Sequence, residues 1–356
     1  MIDAIDFLEI LDGQGEPTLL AILSLKDGQI IKATAPSRSL SPSFDQASTR
    51  YQGKGLKQMI QTCKPILQES LKGRNLKEVD PILIELKDLG TNFTGAISIA
   101  CLKAEALLNQ KTIYESLSDQ IKMPQIIVEV TPHFMIVPVN TKPTHEHIRM
   151  VHDIFYILED IALEKRISLY DPRISYDEKI ETLLQAIEEA GFGLGRDIGL
   201  FLNLEGLAQY LEGQYFFDHV LLDPHEYIER LVEDLKRYPI IGYENVLSQK
   251  DPKGWSHFSN TVLEKIKRQV LIASSHNLDM TNITMAIPAF EGTISETLEN
   301  ITQKSKDVIV QQTQNATSDT FVVDFALGLQ APFVKFGNIK QRDAYNRLLE
   351  IESLIS

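Results

Sequence analysis

The chain has little with which to hold a nucleic acid, cross a membrane or build a disulfide framework. Its 35 Lys and Arg stand against 49 Asp and Glu, for a formal charge of −14. No run of basic residues gathers that could neutralise a phosphate backbone, so nucleic acid is not an expected partner. Only two cysteines occur, Cys63 and Cys101, in no metal-ligand spacing. Two thiols in a chain of this size point to a reducing compartment. No apolar run approaches the roughly 20 residues that span a bilayer. The opening Met1-Ile2-Asp3-Ala4-Ile5-Asp6 lacks the basic-then-apolar order of a secretory signal. The expectation is a cytoplasmic protein without a membrane partner, in which the sequons at Asn92, Asn282 and Asn315 carry no weight.

What is present suits one large and one smaller domain: 356 residues, 43% of them hydrophobic. Thr18 to Leu25 is apolar and β-prone, Asp27-Gly28 is a turn signal, and Gln29 to Thr34 returns as a second strand. Ala35 to Ser48 reads as an exposed loop and Ile97 to Leu108 as a buried helix. The pattern changes over Ser118 to Pro124, which places a boundary near residue 120 and domains at 1–120 and 121–356.

Beyond it, strands and helices alternate. Ile126–Val130, Phe134–Val139, Leu200–Leu204, Ile240–Tyr243, Val270–Ala273, Ile283–Ile287 and Val308–Val310 have strand length. Thr144 is the expected cap of a helix to about Lys165, with Ile148, Val151, Phe155 and Leu158 on one face. Ile180, Leu183, Leu184 and Ile187 repeat that spacing up to Gly191. Asp223, Pro224 and Glu226 open a further helix as cap, first-turn proline and capping-box acid. Such repeated units over ~230 residues predict a single α/β barrel. Gly191-Phe192-Gly193-Leu194-Gly195 follows a helix, the wrong context for a dinucleotide loop.

Four segments carry a resemblance. Ile10-Leu11-Asp12-Gly13-Gln14-Gly15-Glu16-Pro17-Thr18 resembles ILDSRGNPT of the enolases. Arg50-Tyr51-Gln52-Gly53-Lys54-Gly55 is similar to RYxGKG, Tyr238-Pro239-Ile240-Ile241-Gly242-Tyr243-Glu244 to YPIVSIED, and Ala344-Tyr345-Asn346-Arg347-Leu348-Leu349 to AKYNQLL of that family, in the same order. The resemblance runs over nearly the whole chain. It implies an α+β N-terminal domain followed by an enolase-like α/β (TIM-type) barrel with atypical first units.

The same alignment implies a depleted site. Enolase chemistry takes a proton from beside a carboxylate, expels hydroxide and holds the dianionic intermediate on Mg²⁺. Glu244 stands where the family keeps its central metal glutamate, but its two aspartate companions match Asn203 and Ser274. The metal-binding serine falls opposite Leu40, flanked by Ser39 and Ser41. The base lysine matches Ile287, an acid–base glutamate matches His133, and the phosphate-binding arginine matches Thr313. The segment with the second glutamate is replaced by Leu169-Tyr170-Asp171-Pro172-Arg173, where Asp171 is the nearest acid. A glycine-rich loop with the family's histidine is missing between Met123 and Thr131; Lys335 matches the second lysine.

Bland and functional readings stand side by side. Glu244 is either a remnant ligand or the structural partner of Lys335 across the barrel mouth. His133 is a hydrogen-bonded core histidine or, with Glu244 and His276, part of a new metal site. His145, His147 and His152 have no i,i+4 pair and read as a solvated face. The resemblance thus implies either an inactive relative acting as a binding or scaffold protein, without a cofactor, or other chemistry built on Lys335, Glu244 and His133. A genuine Mg²⁺-dependent enolase is the third reading. Charged positions of the family's dimer interface match Leu8, Leu20, Glu350 and Ser353, so a homodimer, or a heterodimer with an active enolase, would rest on different contacts.

Overall fold

The computed structural model describes residues 1–34, 43–47, 49–131, 133–205, 207–275, 292–304, 308–312 and 316–355, with 284–288 and 303–304 described by main chain alone. Their contacts fall into two units. One is Met1–Pro124 with Ile287–Ser305 and Val310–Ala331; the other is Gln125–Ala286 with Lys306–Ile309 and Pro332–Ser356. Among the described residues no helix is long and apolar enough to cross a membrane.

Apolar alternation builds the start of the first unit. Strands β1 (Ile2–Leu11), β2 (Pro17–Leu25) and β3 (Ile30–Thr34) form an antiparallel meander. Ile5 and Phe7 of β1 and Leu19, Ala21 and Leu23 of β2 are buried, as a one-faced sheet requires. Its cover is α3 (Thr91–Leu108), after α1 (Lys57–Leu71) and α2 (Val79–Glu85), with Phe93 meeting Phe7 edge to face at 5.2 Å. Helix α4 (Ile113–Leu117) follows. Strand β1 was not among the expected elements.

The turn from β1 to β2 explains two of the recognisable segments. Buried Asp12 accepts hydrogen bonds from the amides of Gln14 and Glu16 at 2.8 and 3.0 Å, and Gly15 takes φ +76°. Arg50 pairs with Glu9, and Lys54 reaches Glu16 at 2.9 Å. Both motifs are therefore bound into one corner of the sheet.

In the rest of the chain come β4 (Gln125–Ile126), β5 (Val128–Thr131), β6 (Phe134–Pro138), α5 (Thr144–Lys165), α6 (Tyr176–Glu189) and β7 (Ile198–Asn203). Next is a small antiparallel sheet of β8 (Ala208–Leu211), β9 (Gln214–Phe217) and β10 (Val220–Leu222), which the sequence reading did not anticipate. Then follow α7 (Pro224–Arg237), β11 (Ile240–Glu244), α8 (Pro252–Lys265), β12 (Leu271–Ser274), β13 (Thr284–Pro288), α9 (Ile294–Lys304), β14 (Val308–Gln311), α10 (Phe321–Gly328), β15 (Phe333–Lys335) and α11 (Arg342–Ile355).

The strand order is β4-β15-β14-β13-β12-β11-β7-β6-β5. Segments β4 and β5 are one interrupted strand bonded on both flanks. The amides of Gln125, Ile127 and Glu129 donate to Pro332, Val334 and Gly337 at 2.9, 2.8 and 3.1 Å, while Val128 pairs with Ile136 on the other side. The sheet thereby closes into a barrel. Its first turn is atypical: β6 runs antiparallel to both β5 and β7, whereas β11 is parallel to β7 and β12. Met135, Val137, Phe201, Ala273 and Ile309 form a fully buried cluster with Ile127. Each large apolar side chain so removed from water contributes roughly 1.5–3 kcal/mol.

Helix α7 starts on the expected capping box of Asp223 and Glu226, and Ile228, Leu231, Val232 and Leu235 are buried. Helix α5 begins differently from expectation. Thr144 lies inside the helix after Pro143, and no side chain of its own turn caps it. The cap comes from Glu352 on α11, whose carboxylate accepts from the amides of Thr144 and His145 at 2.6 and 2.9 Å. The expected solvated histidine face is also only partly so. His145 and His152 are exposed, while His147 is half-buried, its Nε2 2.9 Å from the Asn140 Oδ1.

Behind β11 a polar group is buried. Asp234 is 2% exposed, and Arg230 joins it (3.3 Å) and Asp177 (2.7 Å). Burial pushes the Asp234 carboxyl up to about 6, helped by Asp177 and opposed by Arg230 and Tyr176.

Two predictions follow the helices. Glu352→Ala leaves two amides uncapped and should cost about 1–2 kcal/mol in urea unfolding; an unchanged midpoint would discard the long-range cap. Because the folded pKa of Asp234 lies above the ordinary 3.8, its contribution favours the fold in acid and is lost as pH rises through about 6. The lost stabilisation is of order 3 kcal/mol. Asp234→Asn should flatten this part of the pH–stability curve, and an unaltered curve would rule out Asp234 as its source.

Candidate functional site

The chemistry-bearing residues of a barrel gather where its strands end. Here Asn203, Glu244, Ser274 and Lys335 are the last residues of β7, β11, β12 and β15. Register makes the first two neighbours, since Glu244 pairs with Asn203 across the parallel β7–β11 ladder. The same Glu244 pairs with Ala273, one residue before Ser274, on its other flank. The Tyr238–Glu244 segment that carries the resemblance therefore delivers its glutamate to the centre of the rim.

Glu244 is 1% exposed, and its Oε2 takes the ammonium of Lys335, a side chain only 12% exposed. The pairing expected across the mouth is present. A third charge lies near them: Glu129 on β5 is partly buried, and burial raises its carboxyl, with Glu244 adding to the rise and Lys335 opposing it. Sequence reasoning passed over Glu129. Its signal was available as a single acid inside the apolar run Ile126 to Val130.

The flanking positions are engaged with the protein. The Asn203 Oδ1 accepts from the amide of Glu205 at 3.0 Å. Ser274 is 1% exposed, its Oγ 3.4 Å from the Asn245 Oδ1. Asn245, at φ +50°, is the hub of this group: it accepts from the Ser275 amide at 2.9 Å and donates to Glu205 at 2.8 Å.

His133 is half-buried, and its Nδ1 is buried with no hydrogen-bond partner among the described residues. The hydrogen-bonded core histidine expected for this position is found in part: the ring bonds the backbone of Asn203, while its Nδ1 has no partner among the described residues. Burial lowers its pKa, and the backbone of Asn203 opposes that shift. His276, Thr313, Ser39, Leu40 and Ser41 lie outside the described residues, as does the side chain of Ile287. Among the described residues no three His, Cys, Asp or Glu side chains converge as a metal-ligand group. Asp171 is held by Arg173 at 2.6 Å, which keeps its carboxyl down at about 2.

The chain matches the family model for the enolase N-terminal domain over residues 2–117 and that for the enolase C-terminal TIM barrel domain over residues 128–356. It is similar to the enolase of Legionella pneumophila subsp. pneumophila strain Philadelphia 1, with 27% identity over 414 aligned residues, 100% of this chain and 97% of that protein. The enolase of Legionella pneumophila strain Corby is likewise 27% identical over the same shares of both chains.

The ion pair makes its own prediction. Lys335→Met strands a buried carboxylate and should cost about 3–5 kcal/mol. Adding Glu244→Gln should restore much of it, because neither charge is then left alone. A double variant no more stable than Lys335→Met would discard the pairing as the source of the loss.

Proposed function

The chain belongs to the enolase family, and from that premise we propose that it has given up the family reaction and works as a binding or scaffold protein. One observation carries this reading. The single carboxylate among the three aligned metal positions, Glu244, is already neutralised by Lys335, and both neighbouring positions offer only uncharged oxygens engaged within the protein: the Asn203 Oδ1 accepts from the Glu205 amide and the Ser274 hydroxyl donates to the Asn245 Oδ1. A hard cation such as Mg²⁺ takes several oxygens, carboxylates foremost. This donor set does not fit it. With Ile287 and Thr313 at the base and phosphate-clamp positions, the groups that act as a unit in the family are altered together, and such groups fail together.

The proposed binding role includes pairing, with a second copy or with an active enolase. Leu8 and Leu20 support it. They are direct cross-strand partners on β1 and β2, with Leu8 52% exposed, and they present apolar surface where the family aligns charges. On α11, Glu350 is engaged by Arg347 at 3.1 Å and Ser353 by the Glu350 carbonyl at 2.7 Å.

A second reading has its own support. The partly buried Glu129 carboxyl, raised by burial and by Glu244 and close enough to Lys335 for it to oppose the rise, would suit proton transfer to a different substrate. The two are separated by activity.

Conversion of 2-phosphoglycerate to phosphoenolpyruvate with Mg²⁺ should be no faster than in Glu244→Gln purified identically. Turnover lost in that variant would overturn the proposal in favour of a genuine enolase. In size-exclusion chromatography with light scattering, Leu8→Lys with Leu20→Lys should convert a dimer to monomer. A parent that stays monomeric, alone and mixed with an active enolase, would remove the pairing.

A further inference from the structure

Just past the end of β7, a cavity of about 190 Å³ opens between the start of α6, the preceding segment and the small β8–β10 sheet. Its walls are largely apolar, with Ile174, Leu207, Phe216 and Phe217 among them. Lys179 also lines it. That residue keeps 8% of its exposure, and among the described residues its ammonium has no hydrogen-bond or ion-pair partner. Two acids lie near it, one of them, Asp218, on the cavity lining itself. Asp218 accepts from the amide of Tyr176 at 2.8 Å, and Asp171 is held by Arg173.

A lysine side chain this little exposed and without a protein acceptor is costly to keep charged, and an incoming anion relieves part of that cost. Burial lowers the pKa of Lys179, with Asp171 and Asp218 opposing the shift. Shape points to the kind of anion. An apolar cavity of about 150 Å³ takes up benzene, so this one has room for a single ring or a short branched chain. Gln209 and His219, also on the lining, offer further donors.

We propose that this cavity binds a small organic monocarboxylate, its apolar body against Phe216 and Phe217 and its carboxylate on Lys179. A larger polyanion is disfavoured because one cation faces two nearby acids.

Calorimetric titration with benzoate and with cyclohexanecarboxylate tests it, with benzamide as the neutral counterpart. At least one carboxylate should bind saturably, about tenfold or more tighter than benzamide, and Lys179→Met should abolish that preference. Phe216→Ala, at a 40% exposed position, should weaken binding while keeping the preference for the charged form. It decides the matter even if Lys179→Met does not fold. No binding of either carboxylate, or equal binding of benzoate and benzamide, would overturn the proposal. Neither result bears on the enolase reaction, which rests on other residues.

Discussion

The strand segment from Gln125 to Thr131 has to bond on both flanks, and that requirement closes the barrel. Parallel to β15 on one side and antiparallel to β6 on the other, it joins the two ends of the sheet. Once the ring is closed, the positions at which its strands end are set by register. Glu244, Asn203, Ser274 and Lys335 come together for that reason, although they are scattered through the chain. The buried ion pair of Glu244 and Lys335 is a consequence: two strand ends face one another, and a carboxylate with 1% exposure needs a counter-charge.

The family resemblance is carried by parts that do mechanical work. Asp12 and Gly15 shape the β1–β2 turn, and Arg50 and Lys54 tie the following segment to Glu9 and Glu16. On α11, Tyr345 donates to the Gly337 carbonyl at 2.8 Å, beside the end of β15. None of these contacts needs a substrate. They hold whether or not the rim carries the family's chemistry, so a frame can outlast its site. Ion pairs such as Glu244–Lys335 behave likewise, since losing one partner costs more than keeping both.

Where expectation and structure part, the cause is a partner distant in sequence. Thr144 had the right residue type for a cap, but the helix starts one residue earlier, and Glu352, on the last helix, takes the amides of Thr144 and His145. Strand β1 was not recognised, and its acids Asp6 and Glu9 interrupt its apolar run; they are engaged by Lys64 and by Arg50 and Leu56. The β8–β10 sheet is short and partly exposed, so it has little apolar alternation to announce it. Glu129 looked like one more residue of a strand until closure set it beside Lys335 and Glu244.

By itself the sequence determined the β2–β3 hairpin, the alternation of strands and helices beyond residue 125, the capping chemistry of α7, and the family. These depend on residues within a few positions of each other, or on motifs read as contiguous text. Only the tertiary structure decided which charges meet at the rim, that the Asn203 and Ser274 side chains are engaged by Glu205 and Asn245, and that Lys179 lines a cavity with no partner among the described residues. Those are properties of side chains brought together by register and closure. Local sequence does not encode them, because the groups that satisfy or desolvate each side chain arrive from other strands.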